Sequence, residues 1–99
     1  MNKYAKRIEK FITDGNAFFG KNLTFENSEF IAWNNALIRF VEKNYGVDST
    51  TSKMFKERDY APPIYYECSH SDFVKRFECD LKTSIEDLKR LLEEIEDDE

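Results

Sequence analysis

The sequence predicts an all-α domain, a small helical bundle of three long helices and one short helix with a single aromatic, proline-bearing loop. Three observations predict it. Apolar residues recur at steps of three and four along three long segments of the 99-residue chain, the period that gathers them on one helix face. Only three Gly and two Pro occur, whereas a sandwich or barrel needs a turn every ~8–12 residues. The 40% hydrophobic and 15% aromatic content supports a packed core even with 35% of residues charged. The length is that of one domain. Residues 1–95 are expected to form it, with 96–99 an acidic tail that frays.

The first helix is expected from about residue 2 to about 19, with Tyr4, Ile8, Phe11, Ile12 and Phe18 on one stripe. Gly15 weakens it near the middle and Gly20 stops it, because glycine takes left-handed backbone without steric cost. Asn27 or Ser28 offers a side-chain oxygen to cap the next helix, which carries Phe30, Trp33, Leu37, Phe40, Val41 and Tyr45 before Gly46 ends it. Asp48 and Ser49 then read as the cap of a short helix, about 50 to 57, bearing Met54 and Phe55.

Pro62 and Pro63 bar any helix across the following loop, residues 59–70, in which Ile64-Tyr65-Tyr66 is open to an extended strand. Ser69 and Asp72 have capping-box spacing, with Ser71 the alternative cap. The last helix follows, with Phe73, Phe77, Leu81, Ile85, Leu88, Leu92 and Ile95 on a stripe wider than one small core is expected to cover. Asp72/Arg76, Glu78/Lys82 and Glu86/Arg90 are spaced as favourable pairs on its outer face. Six acids among Glu93 to Glu99 oppose the helix dipole, so fraying is expected after Ile95. The most buried set is expected to be Phe11, Ile12, Trp33, Leu37, Phe40, Phe77, Leu81, Ile85 and Leu88.

Charge and residue types narrow the chemistry. Residues 1–49 hold seven basic and six acidic side chains, and residues 50–99 eight basic and fourteen acidic. A duplex-binding protein shows a basic face, and the one visible cluster is Lys3, Lys6, Arg7 and Lys10, so nucleic acid is not expected as a partner. Two cysteines are too few to staple a secreted scaffold. No apolar run follows the basic start, so neither a signal peptide nor a membrane span is expected, and the cytoplasm is the expected location.

His70, the single histidine, lies beside Ser69 and Ser71, hydroxyls that stand where capping residues stand; no catalytic residue is assigned. Cys68, His70 and Cys79, with Asp72 or Asp80, are metal-ligand types. They lack the two close pairs of a structural zinc site, and Cys79 reads equally as a small half-buried hydrophobe, so no metal site is assigned. No glycine-rich phosphate loop occurs and no cofactor is expected. Tyr60, Tyr65 and Tyr66 give the loop rigid amphipathic contact area, which serves either recognition or a lid folded over the core.

The order of elements carries a resemblance. Glu29-Phe30-Ile31-Ala32-Trp33, Leu37 to Tyr45, Gly46-Val47-Asp48-Ser49, Met54-Phe55, Tyr60-Ala61-Pro62 and Leu88 to Ile95 follow one another as in a helical module of prokaryotic proteins. The chain resembles the N-terminal helical region that precedes Toll/interleukin-receptor-like or other nucleotide-binding effector domains in bacterial antiphage and stress proteins. The likeness covers most of residues 25–95. It implies a regulatory setting and no activity for these residues, because in such proteins the chemistry belongs to the following domain. The chain is then expected to be a portion of a longer protein or a free-standing relative.

The expected function is a non-enzymatic protein-interaction or oligomerisation module, regulatory in prokaryotic antiphage defence. Its partner is another protein or a second copy, and its interaction residues are drawn from Tyr60, Tyr65, Tyr66, Glu93 and Glu94. The alternative is a small acidic inhibitor from a phage or mobile element that mimics nucleic acid, presenting carboxylates where a target expects phosphates.

Overall fold

The computed structural model describes residues 3–63 and 67–97. Four helices follow in order: α1 (Lys3–Asn16), α2 (Ser28–Tyr45), α3 (Thr50–Lys56) and α4 (His70–Asp97). The all-α architecture of three long helices and one short one is as expected. The Ile64-Tyr65-Tyr66 segment lies outside the described residues.

Local signals set most boundaries. Asn27 caps α2 by accepting from Phe30 N–H at 2.9 Å, and Gly46, at φ +97°, closes it by donating to Glu42 C=O at 3.0 Å. Ser49 caps α3, accepting from Ser52 N–H at 3.1 Å, while the buried Ser52 hydroxyl donates to Gly46 C=O at 2.6 Å. Ser69 and Asp72 form the expected capping box: Asp72 N–H donates to Ser69 Oγ at 3.3 Å, and Ser69 N–H donates to Asp72 Oδ2 at 3.0 Å. Those bonds from Ser69 hold the Asp72 carboxyl below its usual range.

Two helix ends differ from expectation. α1 stops at Asn16, because the chain tightens into bonds spanning three residues, Phe18 N–H to Gly15 C=O among them, and these turn Phe18 into the core. α4 continues to Asp97, past the expected fraying point at Ile95. Buried Leu88 and Leu91 with part-buried Leu92 and Ile95 anchor its last turns against the core, which outweighs the dipole penalty of the acids.

α1 packs most extensively on α4, its most distant partner in sequence, rather than on its neighbour α2, while α3 lies on α2. Gly20 N–H reaches Glu78 Oε2 at 2.9 Å and Asn22 Nδ2 meets His70 Nε2 at 3.2 Å. Falling α4 numbers therefore accompany rising α1 numbers, so the two helices are antiparallel. α1 and α2 are antiparallel as well, since Tyr4 faces Phe40 and Phe18 faces Phe30. The Lys56–Glu42 ion pair at 2.7 Å ties α3 to α2. The molecule measures 47 × 28 × 21 Å, and α4 runs its length, since 28 helical residues rise ~42 Å.

Eight of the nine expected core residues are buried; Ile12 is only partly so. Tyr4, expected on the α1 stripe, is 51% exposed. Phe30 and Tyr60 complete an aromatic centre in which the Phe30 ring meets Tyr60 and Phe77, each at 4.7 Å between centroids. None of the three expected acid-to-base pairs on α4 forms among the described residues. Glu78 binds Gly20, Asp72 binds Ser69, and Arg76 and Arg90 pair instead with Asp80 and Asp87.

Gly15 does more than weaken a helix. A Cβ there would stand 2.8 Å from Trp33 Cζ2 and 3.3 Å from Ile85 Cδ1, so α1, α2 and α4 meet only because this residue has no side chain. Gly15→Ala gains ~1 kcal/mol of helix propensity and loses more to overpacking, and a net destabilisation of ~1–2 kcal/mol is expected in urea unfolding. A raised midpoint would contradict this packing.

Candidate functional site

Two places concentrate polar or open structure: a buried cluster where the return loop meets α4, and a groove along the α1/α2 seam.

The cluster begins with Arg58, just after α3. Its guanidinium donates to Ser84 Oγ at 2.7 Å and to Asp87 Oδ2 at 2.9 Å, with its face over the Phe55 ring. Tyr60, at φ +60°, lies 1% exposed; its hydroxyl bonds Ser84, and its N–H donates to Asp80 Oδ2 at 3.0 Å. Arg76 and Arg90 brace Asp80 and Asp87 from outside. Burial is the largest influence on the Tyr60 phenol and raises it, against smaller lowering effects of Ser84 and Arg58. No buried side-chain polar atom of this cluster lacks a hydrogen-bond partner among the described residues, so it clamps a strained left-handed tyrosine onto α4.

The seam groove has two parts that share Arg7 and Ala36 as walls. The inner part, about 370 Å³, is lined by Phe11, Phe18 and Trp33, with Lys10, Asp14 and Glu29 at its rim. Trp33 is fixed there by donating its indole N–H to Phe11 C=O at 3.1 Å. The outer part, about 470 Å³, is lined by Lys3, Tyr4, Arg7, Arg39, Phe40, Lys43 and Asn44, four cations and no carboxylate. Arg7 spreads over the Phe11 and Phe40 rings at 5.5 and 5.8 Å. Lys10 is paired with Asp14, but among the described residues Lys3, Arg7, Arg39 and Lys43 meet no acid within ion-pair distance. Burial, and then the charge of Glu94, raises the phenol of Tyr45.

The chain matches no family model, no curated protein and no solved structure. No helix among the described residues is long and apolar enough to cross a membrane.

The residues singled out in the sequence separate. Tyr60 is a core residue, which removes it from the expected interaction surface; for this tyrosine the lid alternative holds. Tyr65 and Tyr66 lie outside the described residues. Glu93 and Glu94 are exposed near the end of α4. Ser69 and Asp72 are joined in a helix cap and His70 faces Asn22. Cys79 is exposed rather than half-buried, Cys68 is half-buried, and no group of three metal-ligand side chains gathers among the described residues. The wide stripe of α4 is largely spent, since Phe77, Leu81, Ile85, Leu88 and Leu91 are buried and Leu92 and Ile95 are partly covered.

The basic groove escaped sequence reasoning because its cations come from two helices. Arg39 and Lys43, four apart on α2, were the available signal, matching Lys3 and Arg7, four apart on α1.

Two tests follow from the buried cluster. The Arg58 and Asp87 side chains are 13% and 8% exposed, so Arg58→Ala leaves a buried carboxylate braced only by Arg90. It is expected to cost ~3 kcal/mol in denaturant unfolding, and the apolar double substitution Arg58→Met with Asp87→Leu should recover most of the loss. Because the folded-state value of Tyr60 is raised above the ordinary 10.0, its contribution is intact below pH 10 and is lost as pH rises through the folded value. Tyr60→Phe should lower stability by ~1 kcal/mol at neutral pH and flatten the alkaline decline, read from unfolding curves across the pH range.

Proposed function

We propose that the protein is a non-enzymatic interaction module that binds an acidic protein segment at the outer, cationic part of the α1/α2 groove. The observation that carries this is the set of four cations, Lys3, Arg7, Arg39 and Lys43, ranged around the Tyr4 and Phe40 rings with no carboxylate among the lining residues. Covering the exposed Tyr4 ring on binding supplies affinity, while the cations supply steering and register.

Several features support an interaction role over catalysis. Ser69, Asp72 and His70 are engaged in capping and in the Asn22 contact, and Ser84 is held between Arg58 and Tyr60. A protein segment suits the groove better than a duplex. Four cations are fewer than the ~6–10 phosphate contacts of typical duplex binders, and the exposed Glu93 and Glu94 of α4 repel an extended polyanion. The resemblance to the helical region preceding effector domains suggests the setting, regulation in prokaryotic antiphage defence or stress, inside the cell.

The test is co-purification from the native host with wild type and with Arg39→Glu/Lys43→Glu, two exposed substitutions expected to leave the melting temperature nearly unchanged. A partner retained by wild type and lost by the variant supports the groove. A partner that survives this change but is lost on neutralising Glu93, Glu94, Glu96, Asp97 and Asp98 would overturn it in favour of the acidic-mimic alternative.

A further inference from the structure

The two charged surfaces lie at the same end of the bundle. α1 and α4 pass level at Gly15 and Ile85. Twelve residues back along α1 is Lys3, and twelve residues on along α4 is Asp97, each a rise of ~18 Å in the same direction. The last turn of α2, which carries Lys43, ends there too, because α2 runs antiparallel to α1 and Phe40 meets Tyr4. One end of the molecule thus presents a cationic, aromatic-lined groove next to exposed Glu93 and Glu94, after which the sequence continues Glu96, Asp97, Asp98, Glu99.

Both helix ends are charged against their own dipoles. α1 opens with Lys3 and Lys6 and has no acid in its first turn; α4 closes with acids and has no base in its last turn. Each arrangement is unfavourable alone. Yet within one chain the two sets do not meet: among the described residues Glu93 and Glu94 form no ion pair with Lys3, Arg7, Arg39 or Lys43. They project from helices held rigidly by Leu88, Leu91, Phe40 and Val41. A surface bearing a groove of one sign beside exposed side chains of the other is electrostatically self-complementary, which is what a twofold isologous interface requires.

We propose that the occupant of the cationic groove is the acidic end of α4 from a second copy of this chain, exchanged reciprocally in a symmetric dimer. The inference rests on the groove reading above and names its partner. Each groove receives Glu93 and Glu94, and the dipole penalties at the first turn of α1 and the last turn of α4 are relieved together.

Sedimentation velocity on the full chain, from micromolar to millimolar concentration, tests it. A monomer–dimer equilibrium is expected, weakening as salt is raised. Arg39→Glu/Lys43→Glu and Glu93→Lys/Glu94→Lys should each weaken self-association by roughly tenfold or more. An equimolar mixture of the two variants should restore the dimer, because in the mixed pair the reversed groove meets the reversed segment on one side and the native groove meets the native segment on the other. Circular dichroism and melting curves confirm that both variants are folded. Carboxylate-to-lysine cross-linking of mixed light- and heavy-isotope protein adds a second readout, in which Lys43–Glu93 or Lys43–Glu94 peptides are expected as mixed-isotope pairs. A strict monomer, a dimer indifferent to both variants, or cross-links within single chains only would each overturn the inference. A strict monomer whose host partner still depends on Arg39 and Lys43 would overturn the second copy and leave the groove reading standing.

Discussion

The indole of Trp33 lies against a stretch of α1 that has no side chain, and the placement of three helices follows from that contact. Gly15 lets the ring come down on the α1 backbone, and the same missing side chain leaves room for Ile85 of α4. The indole N–H is satisfied by Phe11 C=O at 3.1 Å, so the close approach buries no unpaired donor there. Phe11 of α1 and Phe18 of the turn after it then meet Trp33 edge-on, one before and one after the glycine in sequence, and Phe30 reaches from α2 to Phe77. The same ring lines the inner groove. The core and the inner part of the seam groove are thus two sides of one tryptophan.

A second constraint acts where the chain returns from α3 to α4. Asp87 and Ser84 occupy positions on α4 that an apolar stripe would fill, and they are buried because Arg58 and Tyr60 come across to meet them. Replacing such a network by hydrophobic residues is often neutral or stabilising, so its contribution is to position the return segment rather than to add net stability. It also uses charges of α4 internally. Charge left at the surface is thereby sorted along the molecule, acids at the end of α4 and bases along the α1/α2 seam.

Features legible in the sequence were those decided within a few residues: the caps at Asn27, Ser49 and Ser69/Asp72, the stop at Gly46, and the helical stripes. What escaped was decided across the fold. Tyr60 looked like a loop tyrosine because nothing local reveals that Ser84 and Asp80, more than twenty positions on in one case and twenty in the other, are its partners. Gly15 looked like a defect because its purpose is a ring eighteen residues away. The basic groove was hidden by charge counting: Glu42 cancels a base in the tally, but in the fold it turns to Lys56 of α3 and leaves Arg39 and Lys43 uncompensated on their side of α2. Counting charge by segment loses direction, and direction makes the site.

The central claim is that the end of the bundle where α1 begins and α4 finishes is the surface with which the protein meets its partner, a second copy included. Backbone amide shifts followed by nuclear magnetic resonance while protein concentration is raised test it most directly, residue by residue and without substitutions. The account predicts perturbations confined to residues 3–7, 39–45 and 93–97, with the indole of Trp33 shifting less and α3 and the start of α4 silent. Shifts centred on α3 or on residues 67–76 would contradict it, as would a spectrum unchanged at every concentration together with no perturbation of these residues on adding a co-purified partner.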